Sequence, residues 1–413
     1  MIIRWVIAVS ILLLIEIYAF QAIKTVVKVR WIAYSYEVIS LIAIGVVIYG
    51  IMHFDRSVGQ TKQTLFTAAV LLVTLLPKII MTLVLFGEDL FRLPVTIVNF
   101  FSKPADTKFL EYIPERRKFV SQIALGLAAV PFLSLLYGIF KGKYDYRVIR
   151  QTIVFDDLPD AFDGFTITQI SDVHSGSFND PEKIDYAIDL INAQDSDMIL
   201  FTGDIVNTFA TEMHPWIDDF NRIKTPAFGK YSVLGNHDYG EYVQWDSAIK
   251  KAANFEAIKD LYRQIGFKLM LNEHTVIHKG DDKIALVGVE NWGQNFKKAG
   301  DLNKAASGLG ADDFKILMSH DPSHWEYEVK NHPKNFHVTL SGHTHGFQFG
   351  IEIPGLIKWS PAQYFYKQWA GLYENAGRYV YVNRGFGYHA YPGRVGMPPE
   401  ITVIELKKAS KVA

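Results

Sequence analysis

The chain changes texture near residue 140. Before that point long apolar runs dominate, and after it short apolar runs alternate with polar loops and helical periods. A helix needs roughly 20 mostly apolar residues to cross a bilayer. Four segments reach that length, at about 5–23, 31–54, 63–87 and 119–140. The fourth has no Asp, Glu, Lys or Arg from Phe119 to Phe140, whereas Glu16, Glu37 and Lys78 interrupt the others. Charge within a bilayer is costly unless it is paired or hydrated. Lys78, next to Pro77, is therefore expected to pair with Glu16 as a structural contact rather than as part of a transport pathway. Three further spans come after residues 1–22 and no A-x-A site stands out, so the first segment reads as a retained span and not a cleaved leader.

Beyond residue 150 the runs Phe165–Ile170, Met198–Phe201, Lys230–Leu234, Ile284–Val287, Phe314–Met318 and Phe336–Leu340 read as strands. Amphipathic periods over 182–193 and 254–264 read as helices. Strands alternating with helices predict an α/β sheet domain. The turns after the strands carry the chemistry: Ser171-Asp172-Val173-His174, then Thr202-Gly203-Asp204, Gly235-Asn236-His237-Asp238, Ser319-His320-Asp321 and Gly342-His343-Thr344-His345. Ligands in open α/β sheets gather beyond the carboxyl ends of strands, so five such turns are expected to share one rim. Gly203, Gly235 and Gly342 are expected to let the backbone turn sharply there.

Composition narrows this further. None of the 413 residues is Cys, which excludes disulfides, thiolate zinc sites, iron–sulfur clusters and cysteine nucleophiles. Carboxylate, imidazole and amide donors suit Mn²⁺, Fe or Zn²⁺, and their number exceeds what one ion needs. A hydrophobic share of 49% with 21% charge excludes a disordered chain. Net charge is −1, against a nucleic-acid partner. That value averages unlike halves: residues 1–140 hold 13 Lys/Arg and 8 Asp/Glu, the remainder 29 and 35. Basic loops suit anionic headgroups, so membrane lipids are expected partners. With four spans, seven loop cations fall on the side of the termini and nine on the other, leaning toward an exported C-terminal domain in a bacterial inner membrane. Arg116-Arg117-Lys118-Phe119-Val120 resembles a twin-arginine export signal; the alternative is an ordinary basic anchor at a helix end.

Taken in order, the D-x-H, G-D, G-N-H-D, H and G-H-x-H motifs resemble the calcineurin-like metallophosphoesterase family, over about residues 150–407. The stretch from Gly342-His343-Thr344-His345-Gly346 through Pro398-Pro399-Glu400-Ile401 resembles a bacterial membrane-anchored branch, some members of which carry a twin-arginine signal. The resemblance implies a central pair of β-sheets flanked by helices, an αββα sandwich; the hydropathy pattern puts a four-helix transmembrane region (residues 1–140) and a linker (141–150) before it, with a tail at 408–413. It implies that Asp172, His174 and His345 hold one divalent metal, that Asn236, His320 and His343 hold a second, and that Asp204 bridges both. His237 would sit beside the substrate phosphate, stabilising charge or protonating the leaving oxygen. Asn207 stands where the family pattern G-D-x-x-D has Asp; that Asp is not normally a direct ligand. Asn207, His389 and Arg394 are candidate substrate contacts.

Two metals roughly 3.5–4 Å apart can clamp a phosphoryl group and lower the pKa of a bridging water. Attack by that hydroxide requires no protein nucleophile. Residues 347–391 contain 13 aromatics, including Trp359, Tyr364, Phe365 and Trp369, which also suits a domain resting at a membrane interface. The expectation is a membrane-bound phosphoester or pyrophosphate hydrolase acting on a lipid headgroup. The alternatives are a cytosol-facing pyrophosphatase of UDP-diacylglucosamine type in lipid A synthesis and a receptor or scaffold that binds a phosphorylated ligand without turnover. His324, His332 and His337 lack ligand positions and read as surface or packing residues.

Overall fold

The computed structural model describes residues 2–102, 114–353 and 355–410. Lys103 and Lys108, counted above among the loop cations, and residues 411–413 of the expected tail lie outside them. The chain divides into two units: residues 1–54 with 63–137, and residues 55–62 with 138–413.

The first unit is built from helices α1 (Ile2–Val26), α2 (Arg30–Met52), α3 (Lys62–Ser102) and α4 (Pro114–Phe140). Among the described residues, Arg30–Met52, Lys62–Pro94 and Glu115–Phe140 are long and apolar enough to cross a membrane. Small side chains let the helices approach. Ala19, Ala22, Ala124 and Ala128 are buried against Met81 and Leu85, and a Cβ on Gly50 would overlap Thr67. Lys78 Nζ lies 2.7 Å from Glu16 Oε2, both buried, and Ser40 Oγ bonds each of them. The apolar stretch of α3 ends near residue 87, yet the helix continues. Its next charges are neutralised: Arg117 lies 2.8 Å from Glu88 and 2.7 Å from Asp89, and Tyr18 donates to Asp89 at 2.9 Å. Arg116 joins at 3.5 Å from Glu88. The Arg116–Arg117 pair at the start of α4 thus belongs to an ion-pair cluster with the middle of α3.

The second unit contains two six-stranded sheets. The first uses β1 (Arg147–Phe155), β2 (Thr166–Ile170), β3 (Met198–Phe201), β4 (Lys230–Ser232) and β5 (Lys268–Leu269). The second begins with β6 (Glu273–Lys279), β7 (Asp282–Gly288), β8 (Lys315–Met318) and β9 (Val338–Ser341). A separate hairpin, β10 (Ile351–Ile353) and β11 (Ile357–Trp359), precedes β12 (Gly371–Asn375), β13 (Arg378–Val382) and β14 (Glu400–Lys408). Strand order is β1-β14-β2-β3-β4-β5 in one sheet and β12-β13-β9-β8-β7-β6 in the other. The runs β2-β3-β4-β5 and β13-β9-β8-β7 are parallel.

Strands buried on both faces place alternate residues in different layers. Met198 and Leu200 of β3 face Ile316 and Met318 of β8 in the core between the sheets. Ile199 and Phe201 point the other way, onto α5 (Pro181–Asn192) and α6 (Ala248–Gln264) through Ile184, Ile188, Ile258 and Leu261. On the far side, Val287, Leu317 and Val382 pack with Leu302 and Trp325. The layers are therefore αββα. Residues 141–150 are no linker: β1 begins at Arg147, and Tyr144 and Tyr146 are buried in the core beneath α5. Their aromatic rings make the domain begin directly after α4.

Candidate metal centre

Five loops at the carboxyl ends of β2, β3, β8, β9 and the β4 segment bring their donors together. Asp172, His174 and His345 form one set and Asp204, His320 and His343 another, each with ligand atoms mutually within 4.8 Å. His345 Nε2 lies 3.2 Å from Asp172 Oδ1 and 3.0 Å from His174 Nε2. His320 Nε2 is 3.1 Å from both Asp204 Oδ2 and Asn236 Oδ1, and His343 Nδ1 is 2.7 Å from Asn236 Oδ1. His174 Nε2 is 3.7 Å from Asp204 Oδ2, so Asp204 faces both sets.

The backbone is bent at the donors themselves. Asp172, His174, Asp204, His343 and His345 have φ of 53°, 47°, 62°, 72° and 51°. Left-handed non-glycine residues each cost about 1–3 kcal/mol and persist where surrounding structure over-determines them. Of the glycines expected to supply the turns, Gly203 does so, with φ of 98°. Gly235 and Gly342 serve instead by lacking a side chain. A Cβ would overlap the Asp204 carboxylate at Gly235, and Ser171 and the Asp172 carboxylate at Gly342.

A calcineurin-like phosphoesterase family model matches residues 165–347. A second, described as a probable calcineurin-like phosphoesterase transmembrane domain, matches residues 3–143. The chain is 32% identical over 278 residues to the metallophosphoesterase YkuE of Bacillus subtilis, covering 66% of this chain and 90% of that one. The chain belongs to the calcineurin-like metallophosphoesterases. A transmembrane protein with metallophosphoesterase domain from Danio rerio is 26% identical over 297 residues, 70% of this chain and 63% of that protein. The present chain thus spans less than two thirds of that relative's length. A metallophosphoesterase of Helicobacter pylori strain J99 is 25% identical over 316 residues, covering 75% and 77% of the two chains.

Membership of this metallophosphoesterase family implies divalent metal use, and the donors fit it. Around an ion with bonds of about 2.0–2.2 Å, neighbouring ligand atoms lie roughly 3 Å apart, as the nitrogens and oxygens above do. Electrostatics agree. Burial alone would lower the His320 imidazole, yet Asp204 and Asp172 push it up to about 10, so positive charge is favoured where a cation would sit. Burial would raise Asp172 and Asp204, but His345 and His320 hold the first, and His320 and His237 the second, below the usual carboxylate range. His174 is held well below its ordinary value by burial, then by His237, leaving a neutral ring able to ligate.

Partners outside the donor sets fix each ligand. His320 Nδ1 donates to Thr202 O at 2.7 Å, which directs Nε2 inward. Asn236 Nδ2 donates to Tyr242 Oη at 2.5 Å, which turns its Oδ1 toward His320 and His343. His343 Nε2 meets Tyr366 Oη at 2.8 Å and Asp321 Oδ2 at 3.4 Å. Asp238 accepts from the backbone amides of Asp204, Ile205 and Gly235 at 2.9–3.0 Å, clamping two motif loops. Asp238 and Asp321 are visible in the sequence as motif letters; Tyr366 stands out there only as part of the aromatic-rich stretch 347–391, and Tyr242 gives no signal.

The substrate candidates separate. His237 and His389 line a cavity of about 660 Å³ together with His174, Asp204, Asn236, His343 and His345. His237 Nδ1 lies 2.7 Å from Asn207 O, and its ring centroid is 4.6 Å from that of His389. Asn207 and Arg394 are not among the lining residues. Asn207 acts through its backbone, and its side chain bonds Ser177 Oγ at 3.1 Å. Arg394 is buried behind His345, donating to Gly387 O at 2.8 Å with Nη2 3.0 Å from His345 Nδ1. In this structure both hold neighbouring residues of the site and neither lines the cavity. Gln60, in the segment 55–62 that belongs to this unit, donates to Ser177 Oγ at 2.8 Å and accepts from Ala390 N at 2.6 Å. The sequence puts it in the loop between the second and third expected spans, with no signal that it reaches this site.

Proposed function

We propose that the protein is a membrane-anchored hydrolase that uses two divalent cations to cleave a phosphoester or pyrophosphate bond in a lipid headgroup, with α1 as its fourth span. The observation that supports this reading is Asp204 facing both donor clusters, with His174, Asp204, Asn236, His343 and His345 lining one cavity. Asp172, His174 and His345 would hold one cation; Asn236, His320 and His343 would hold the other. Bound cations would supply the positive charge that polarises phosphoryl oxygens and acidifies water.

The remaining chemistry belongs to the chain. His237 commits Nδ1–H to Asn207 O, so Nε2 is the ring atom able to exchange a proton with the leaving oxygen. His389 stands beside it at the same wall and would contact the phosphate. Phe296, Phe347, Phe365, Tyr366 and Tyr391 line the rest of the cavity, which suits an apolar group attached to the phosphate and favours a lipid over a free nucleotide. The loop charges favour an exported domain in a bacterial inner membrane; the cytosol-facing pyrophosphatase remains the second reading, on the same cavity. A reporter fused after residue 150 separates the two. The substrate test is hydrolysis of phospholipids, lipid diphosphates and nucleotide-linked lipids by the purified Mn²⁺-loaded protein and its His237→Ala variant. Preference for soluble phosphodiesters over every lipid would remove the lipid reading.

A further inference from the structure

Most surface hairpins turn charge toward water and apolar side chains toward the body. The β10–β11 hairpin leaves its apolar side chains exposed. Its register pairs Ile351 with Trp359, Glu352 with Lys358 and Ile353 with Ile357. Side chains alternate between faces along a strand, so the charged pair shares one face and the apolar residues the other. The charged face, itself partly exposed, leans on the domain: Glu352 lies 2.5 Å from Arg384 Nη2, and Lys358 donates to Ala370 O at 2.5 Å over the rings of Trp369 and Tyr373. That leaves Ile351 and Ile353 49% exposed, Ile357 42% and Leu356, near the turn, 79%.

The apolar face does not end with the hairpin. Tyr364 and Phe365 are each 73% exposed, and Trp359 Nε1 lies 3.5 Å from Tyr364 Oη. The Phe365 ring centroid is 5.3 Å from that of Phe347, and both residues also line the cavity. An apolar surface therefore runs from the hairpin turn to the mouth of the candidate site. An isolated hairpin with an exposed apolar face is neither stable by itself nor tolerated in water without cover.

We infer that this surface, with Leu356 at its tip, docks into the interfacial layer of the bilayer and opens the cavity onto lipid headgroups. The occupant is a lipid surface because the chain carries its own membrane-spanning helices, which hold a bilayer at high effective concentration beside the domain. The residue types agree: Ile and Leu occupy the hairpin, whereas Trp359, paired with Ile351, and Tyr364 stand at its base, and amphipathic rings suit headgroup depth. This deepens the lipid-phosphoester reading and rests on it only for the choice of substrate.

The chain has no cysteine, so Leu356→Cys supplies a single labelling site. The full-length Mn²⁺-loaded variant is reconstituted in phosphatidylcholine–phosphatidylglycerol vesicles and carries an environment-sensitive fluorophore. The expected result is blue-shifted emission quenched by brominated acyl chains and shielded from aqueous iodide, with the reverse at a Ser307→Cys control. A label at residue 356 that behaves like the control overturns the inference. So does a label shielded only as protein concentration rises without lipid, which would make the surface a contact between copies. In a second arm, Ile353→Glu with Leu356→Glu raises KM for vesicle-borne lipid phosphoester about tenfold, equal to about 1.4 kcal/mol, and leaves hydrolysis of a soluble phosphodiester unchanged. Equal loss on both substrates overturns the docking role. A buried label with no lipid hydrolysis removes the substrate reading and leaves docking standing.

Discussion

Asp204 receives the His237 amide on Oδ1 at 2.8 Å and faces His320 through Oδ2 at 3.1 Å. One carboxylate therefore ties both donor sets to the proton-exchanging histidine. Asp204→Ala is expected to lose metal from both sets and all activity. His237→Ala is expected to keep its metal content and lose about 10²–10⁴ in turnover, the usual weight of a general acid. Elemental analysis checks this, and equal depletion in the two variants would refute the division of roles. Glu212 offers a test by pH. Its half-buried carboxyl accepts from the amides of Asn207 and Phe209 at 2.5 and 3.1 Å, yet loss of water around it pushes it up to about 7. A folded pKa above the unfolded one stabilises the native state at low pH and loses that contribution as pH rises through about 7. Melting temperatures of the metal-loaded wild type should thus fall relative to Glu212→Gln between pH 5 and 7.5; parallel curves would contradict the half-buried, proton-binding carboxyl. At this scale the donors were legible because each follows a strand in a short motif. Arg394 was not, because its Gly387 and His345 partners are set by the fold and not by neighbouring letters.

Among the elements, strands β2, β3, β8 and β9 were readable as short apolar runs because their two faces are both buried. Of the three motif glycines, Gly203 alone makes its turn through a left-handed backbone. At Gly342 the need is space beside Asp172, which no local pattern announces. Gly342→Ala is expected to displace the Asp172 carboxylate and lower metal occupancy and activity at least tenfold, while Gly310→Ala, whose Cβ would meet nothing nearer than 3.4 Å, leaves both unchanged. Unaltered metal binding in Gly342→Ala would contradict the close approach. The start of β1 was missed for a similar reason. Tyr144 and Tyr146 come after the last membrane helix with no hydrophobic period of their own, and only the core beneath α5 gives them a place. The end of α3 was missed because apolarity marks where a bilayer stops, whereas Glu88, Asp89 and Arg117 let the helix go on.

The whole molecule joins a helical membrane unit to an αββα hydrolase unit; hydropathy marks the change near residue 140, close to the boundary at 137–138, but gives no sign that 55–62 belongs to the second unit. Within the membrane unit the Lys78–Glu16 pair was anticipated, since a lone charge there would be untenable. Breaking one partner of a buried pair costs about 3–5 kcal/mol, whereas replacing both with apolar residues is near neutral. Lys78→Met alone should therefore lower detergent-solubilised stability sharply, and Glu16→Leu with Lys78→Met should recover most of it; equal losses would contradict a structural pair. At the scale of the molecule the central claim is turnover. The direct measurement is phosphate-ester hydrolysis by the full-length protein loaded with Mn²⁺, run on lipid and soluble substrates beside His237→Ala. The prediction is turnover on a lipid phosphoester that falls in the variant at unchanged metal content. Full metal loading with no turnover on any phosphoester would contradict it and leave a protein that only binds phosphorylated ligands.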